Sequence, residues 1–188
     1  FIEFQNTGAS ALDLSNARID DAVIYTFPAA TSLAPGARIL VVANLAAFSR
    51  RYATAGLTIA GEWTGSLDNS GEQIKVYDGR GEEILEFSYG DWYSPTDGDG
   101  YSLVFRDPAG TLYSDWGLRT NWGISATTGG TPGAGDTGYS MGYDVWENTA
   151  FAWLAGPEER RSVHPGRKRH LSFVEYAINA NPLHGTQS

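Results

Sequence analysis

The chain has 188 residues, 41% of them hydrophobic, with six Trp, ten Tyr and eight Phe, enough for one domain of ordinary size and a smaller element beside it. It contains no cysteine, which excludes disulfides, thiolate metal sites and a Cys nucleophile. Its net charge of −9 lies in the first part, with 17 acidic and 8 basic residues up to Gly142 and five of each after it, so the body repels phosphate backbones and general nucleic-acid binding is not expected. No run approaches the roughly 18 apolar residues of a membrane span. No signal peptide is visible, but Phe1 is not a natural start, so the expectation is that such a segment was removed or lies upstream.

The twenty-three Gly and eight Pro punctuate the chain into short elements. Phe1–Phe4 and Ala22–Phe27 are short strand candidates. Ala37–Ala43 is nearly all apolar after Pro35-Gly36, as a strand covered on both faces would be. Leu45, Phe48 and Tyr52 share helical spacing. Ile74 and Val76 alternate with Gln73, Lys75 and Tyr77; Leu85, Phe87 and Tyr89 alternate with Ile84, Glu86 and Ser88. Asp78-Gly79-Arg80-Gly81 between them predicts a hairpin turn. Tyr101, Leu103 and Phe105 give a further strand. Many short strands separated by turns point to a mainly β protein, a sandwich or barrel.

Gly129–Gly142 holds six glycines in fourteen residues and reads as a linker. Beyond it the period changes. Asp144 and Glu147 form a capping pair ahead of Trp146, Ala150, Trp153 and Leu154, with Gly156-Pro157 as a stop. Ser172 and Glu175 form a second, opening a predicted helix with Val174, Ala177 and Ile178 inward and Asn181-Pro182 as terminator. The expected organisation is a β body over 1–134, a linker over 135–142 and a helical pair over 143–188 docked on the body.

Five segments, in order, resemble the lamin tail domain. They are Phe1–Gly8 with Leu12–Ser15; Phe27-Pro28 with Leu33–Gly36 and Val41–Ala43; Ser66–Glu72 with Ile74 and Asp78; Asp97–Leu103; and Gly130–Gly133. The resemblance implies an immunoglobulin-like β-sandwich, used in secreted or cell-surface bacterial proteins for attachment or protein–protein contact. It also implies one more strand ahead of Phe1–Phe4. The edge of that strand is therefore expected to stand open, or to be filled by upstream residues or by strand exchange with a partner. A chain that filled this edge from another of its own segments would make the alignment of the Phe1–Gly8 motif, and with it the family reading of the first strands, wrong. Leu171–Leu183 is similar to the "L-S-N-L-L-E-Y-A-L-G-x-D-P-L" helix of secreted bacterial proteins. His164–His170 stands where those proteins carry an acidic calcium loop, which implies that this calcium site is lost.

The remaining question is chemistry. Thr96–Leu103, TDGDGYSL, starts like a calcium loop, but an EF-hand beginning at Asp97 would need a ligand at Tyr101, Gly at Ser102 and Glu at Pro108. It reads instead as a turn in which Gly98 and Gly100 take unusual backbone angles. His164, His170 and His184 all lie in the tail, two of them flanking Arg167-Lys168-Arg169, so the body holds no Ser-His-Asp system. Glu83 and Glu86 are placed on opposite faces of a strand, and Glu82-Glu83 and Asp20-Asp21 read as solvated charges. No cofactor, metal site or catalytic residue is expected. Trp63, Trp92, Tyr93, Trp116 and Trp122 fall in or beside loops. Trp92, Tyr93 and Trp116 are the candidate sugar-stacking platform, the alternative being that such rings cap the ends of the sandwich. The sequence points to a non-catalytic accessory module, extracellular or on the cell surface, contacting other protein domains or surface components; a carbohydrate-binding module is the second reading.

Overall fold

The computed structural model describes residues 1–136 and 171–176. Its strands are β1 (Ile2–Asn6), β2 (Leu12–Asp13), β3 (Arg18–Asp21), β4 (Val23–Thr26), β5 (Ser32–Leu33), β6 (Arg38–Val42), β7 (Ile59–Glu62), β8 (Thr64–Gly65), β9 (Gln73–Tyr77), β10 (Glu83–Ser88), β11 (Leu103–Phe105), β12 (Trp122–Ile124) and β13 (Leu171–Tyr176). One helix, α1 (Leu45–Arg51), follows β6. A six-stranded sheet runs β12-β11-β13-β1-β6-β7, a five-stranded sheet runs β10-β9-β3-β4-β8, and β2 pairs with β5.

One core lies between the two large sheets. Ile2, Phe4, Ile39, Val41, Leu103 and Phe105 enter it from the first, and Ile19, Val23, Ile74, Val76, Leu85 and Phe87 from the second. Period-2 alternation makes this possible, because every second residue of each strand points inward. The β9–β10 hairpin closes as its turn residues require: the Asp78 Oδ1 accepts from the backbone N–H of Arg80 and of Glu82, each at 2.9 Å.

The near-continuous apolar run of β6 has a second cause. Its outward residues Leu40 and Val42 pack with Phe1 and Phe48 in a smaller cluster under α1, so β6 is covered on both faces. Asn44 caps α1 by accepting from the Ala47 N–H at 2.8 Å, and Arg50 and Arg51 sit in its last turn, where cations favour the helix dipole. Phe1 holds the helix edge-on, its ring 5.8 Å from those of Phe48 and Tyr52.

The C-terminal segment corrects the sequence expectation. Leu171–Tyr176 is a strand and not the start of a helix. Ser172 and Glu175 fit a helix start, but Leu, Phe, Val and Tyr in six residues fit a strand equally well. Tertiary context decides: β1 and β11 each present a row of backbone donors and acceptors, and β13 pairs with both. Its register sets Glu3 against Glu175, Phe4 against Phe173, Gln5 against Ser172 and Leu103 against Tyr176. The edge of β1 expected to stand open is thus filled by the chain itself. The predicted helix at 144–154 and the rest of the tail lie outside the described residues, as does the linker from 137 onward.

Glu3, outward on β1, is fully buried. Its Oε1 takes the Arg38 guanidinium at 2.6 Å, and its Oε2 accepts from the Gly133 N–H at 2.5 Å. Arg38 also donates to the Gln5 Oε1 at 3.2 Å. Gly133 has φ +82° and a Cβ there would lie 2.2 Å from the Leu57 Cδ2, so only glycine lets this backbone reach the carboxylate. Burial pushes the Glu3 pKa up, while the Gly133 N–H and the Arg38 guanidinium pull it down; the net direction is upward. Such a group costs stability above its folded-state pKa and nothing below its unfolded-state value. Arg38→Met removes the charge that opposes this cost and should destabilise the fold by about 3 kcal/mol at pH 7. The deficit relative to the parent should shrink as pH falls through the Glu3 titration in urea unfolding. A pH-independent deficit would show that Arg38 acts through packing alone.

Candidate functional site

Four of the aromatic residues singled out from the sequence, Trp92, Tyr93, Trp116 and Trp122, converge at one end of the core. Trp116 is fully buried, its ring stacked 4.0 Å from that of Phe105. Tyr93 is buried, with its hydroxyl donating within reach of the carbonyls of Arg119 and Trp122, both at 3.1 Å. Trp122 donates from Nε1 to the Trp116 carbonyl at 2.7 Å and stacks on Phe87 at 5.3 Å. Trp92 is half-buried, 6.2 Å from Trp122, and Trp63 is core. Two of the three rings expected to form a sugar platform therefore present no flat face to solvent. They cap the sandwich end because the chain from β11 to β12 folds back over it in two short 3-10 turns, Tyr113–Asp115 and Arg119–Asn121. Trp116→Ala should cost about 3–5 kcal/mol, as for other large core aromatics. A loss below about 1 kcal/mol in urea unfolding would return the ring to the surface.

The carboxylates mostly build turns and ion pairs. The Oδ1 atoms of Asp13, Asp68 and Asp107 accept from the N–H of Ser15, Ser70 and Gly110. The Ser15 and Ser70 side chains, then their backbone N–H groups, hold the Asp13 and Asp68 pKa values below the usual range. Asp20 pairs with Arg18 at 2.7 Å and Asp21 with Lys75 at 3.1 Å. Asp97 and Asp99 are exposed, and Gly98 (φ +99°) and Gly100 (φ +83°) carry the chain from the Ser94–Thr96 3-10 turn towards β11. Among the described residues no three His, Cys, Asp or Glu side chains gather as a metal site. The three histidines lie outside the described residues.

Glu83 and Glu86 differ from the sequence expectation. A register shift between Glu83 and Leu85 interrupts the alternation, and both residues line one groove. The groove, of about 520 Å³, runs between β10 and the Tyr113–Gly117 segment, with Gln73, Ile84, Ser88 and Ser114 in its wall. β10 is the edge strand of its sheet. Since the Tyr89 N–H bonds the Glu72 carbonyl, Leu85 and Phe87 are in phase to face β9. Ile84, Glu86 and Ser88 then turn their backbone groups towards the groove. Leu112 and Leu118, each about half exposed at 52% and 51%, flank the segment that forms the far wall. Sequence reasoning missed this surface, because its far wall comes from a stretch with no strand or helix period.

The two-sheet architecture and these turns bear on the origin of the fold. Residues 1–91 match the family model of the Lamin Tail Domain. No curated protein and no solved structure matches the chain. The lamin tail domain is an immunoglobulin-like, non-catalytic domain, in keeping with the two packed sheets seen here. Three of the five motifs noted in the sequence fall in the matched span; Asp97–Leu103 and Gly130–Gly133 lie beyond it. The family match upholds the N-terminal alignment even though β13 occupies the β1 edge. Within the match, the Asn6-Thr7-Gly8 motif has a physical role. The buried Asn6 side chain donates to the carbonyls of Ser10 and Leu33 and accepts from the Gly8 N–H, tying β1 to the β2–β5 layer. Asn6→Ala strands the buried Leu33 carbonyl and frees the part-buried Ser10 carbonyl and a turn N–H, and a loss of about 1–3 kcal/mol in urea unfolding is expected. A change under about 0.5 kcal/mol would contradict that role.

Proposed function

We propose that this protein is a non-catalytic interaction module, part of a bacterial surface or secreted assembly, that binds other proteins by adding an extended segment to the edge of β10. The observation that carries this reading is the groove itself: an edge strand with backbone groups of Ile84, Glu86 and Ser88 directed into it, facing a wall formed by Tyr113, Ser114 and Gly117. Backbone pairing gives affinity in such strand addition, and side-chain pockets give selectivity. The groove wall carries Glu83 and Glu86 and no Lys or Arg, so a partner segment with cations at alternate positions fits it. The match of residues 1–91 to a non-catalytic domain family supports the absence of chemistry. The likeness of the tail sequence to secreted bacterial proteins supports an extracellular or cell-surface place.

A six-residue peptide of alternating Lys and Thr is the direct probe. It should shift the amide resonances of Ile84, Glu86 and Ser88 saturably, and the same peptide with Glu in place of Lys should not. Glu86→Pro removes an outward N–H without breaking the pairing to β9, so it should abolish the shifts with the fold intact. Shifts confined to other residues, or none at millimolar peptide, would refute the reading.

A further inference from the structure

The groove along β10 is open at one end and closed at the other. At its Glu83 end the strand leads back to the hairpin turn, and Gly81, Glu82 and Glu83 are exposed. At its Ser88 end the far wall meets the strand. A Cβ on Gly117 would lie 3.8 Å from the Ser88 carbonyl oxygen. Neighbouring strands lie about 4.8 Å apart, so Gly117 stands in the lane that an added strand would follow past Ser88. β10 itself stops at the same place. Just beyond it the chain packs against Gly71, where a Cβ would lie 2.4 Å from the Tyr89 carbonyl oxygen.

We infer that the groove takes the free N-terminus of a partner chain, its first residue opposite Ser88 and the rest running antiparallel to β10. The inference rests on the strand-addition reading above and adds which part of a partner enters, and in which direction. Three observations carry it. First, the closed end admits a chain that begins there and excludes one that passes through. Second, the polar groups at that end are acceptors. The Ser88 carbonyl is turned into the groove, and the Ser114 hydroxyl spends its one proton on the Asp115 Oδ1 at 2.9 Å. An α-ammonium brings three donors to such a place, whereas an α-carboxylate brings none. Third, the charge of the wall has one sign, with Glu83 and Glu86 and no Lys or Arg, so a carboxylate terminus is repelled and an ammonium is drawn in. Direction follows from the pairing pattern. In an antiparallel hydrogen-bonded pair, the residue opposite Ser88 aims its own nitrogen at the Ser88 carbonyl. For a first residue that nitrogen is the ammonium, and the chain then runs past Glu86 and Glu83 to the open end.

Four peptides test this on the full chain, all amidated at the C-terminus and titrated against the amide resonances of Ile84, Glu86 and Ser88. The first is the alternating Lys and Thr hexapeptide with a free N-terminus. The second is its N-acetylated form. The third carries two extra Ala residues at the N-terminus, which keeps the ammonium charge but moves it beyond the closed end. The fourth carries the same two Ala residues at the C-terminus. The free hexapeptide should bind roughly tenfold tighter than the acetylated and the N-extended forms, the scale of one charge-assisted hydrogen bond. The C-extended form should match the free hexapeptide within about twofold, because its extra residues lie at the open end. Acetylated or N-extended peptide binding as tightly as the free form at the same amides overturns the inference and leaves strand addition standing. An equal loss from the C-terminal extension overturns it too, because the groove would then be closed at both ends. No shift of these amides by any of the four overturns both.

Discussion

The backbone pairing of one strand connects the two halves of the larger sheet. β11 and β12 form one antiparallel pair, β1, β6 and β7 form the other group, and β13 lies between them. Without it, β1 and β11 would each end in unpaired N–H and C=O groups beside a core that includes Ile2, Phe4, Leu103 and Phe105. The aromatic end of the sandwich depends on the same arrangement, because Trp116 and Trp122 are carried by the chain that leaves and re-enters this sheet at β11 and β12. The pairing thus spans several levels: a six-residue segment completes a ladder, the ladder sets the distance between two strand groups, and that distance shapes the core.

A second constraint ties the closing segment to the sheet. Glu3 is a carboxylate on a fully buried face, tolerated because a guanidinium and a backbone N–H converge on it. The N–H belongs to Gly133, so the turn after β12 is fastened to β1. Tyr52 adds a second tie, donating from its hydroxyl to the Gly129 carbonyl at 2.7 Å. The turn after β12 is therefore fixed to β1, and β13 pairs along the β1 edge that carries this same Glu3.

How much of this could be read from residues alone follows from the length of each pattern. The β9–β10 hairpin was legible because two alternating runs flank a turn whose Asp78 side chain satisfies its own backbone. β6 was legible because a strand covered on both faces loses its alternation. β2, β5 and β8 were not, since two residues carry no period. β13 satisfied helix and strand patterns equally within six residues, and the slot between β1 and β11 that decided between them is a long-range fact. The same limit applies to the sites. Tyr93 and Trp116 lie in loop sequence but fold inward under irregular turns, and the shift at Glu83 moves a carboxylate to the groove face that simple alternation assigns it away from. The likeness of residues 1–91 to a domain family was legible, but the groove and the slot were not, because both are made by segments distant in sequence.

The account rests most on β13 occupying its slot, and amide hydrogen exchange measures that directly. The Asn6 N–H bonds the Ala37 carbonyl, so Ile2 and Phe4 are in phase to face β6, whereas Glu3 and Gln5 face β13. With β13 seated, the Glu3 and Gln5 amides should exchange as slowly as that of Phe4, close to the limit set by global unfolding. Exchange of Glu3 and Gln5 orders of magnitude faster than Phe4 would mean that the β1 edge is open and would contradict the account.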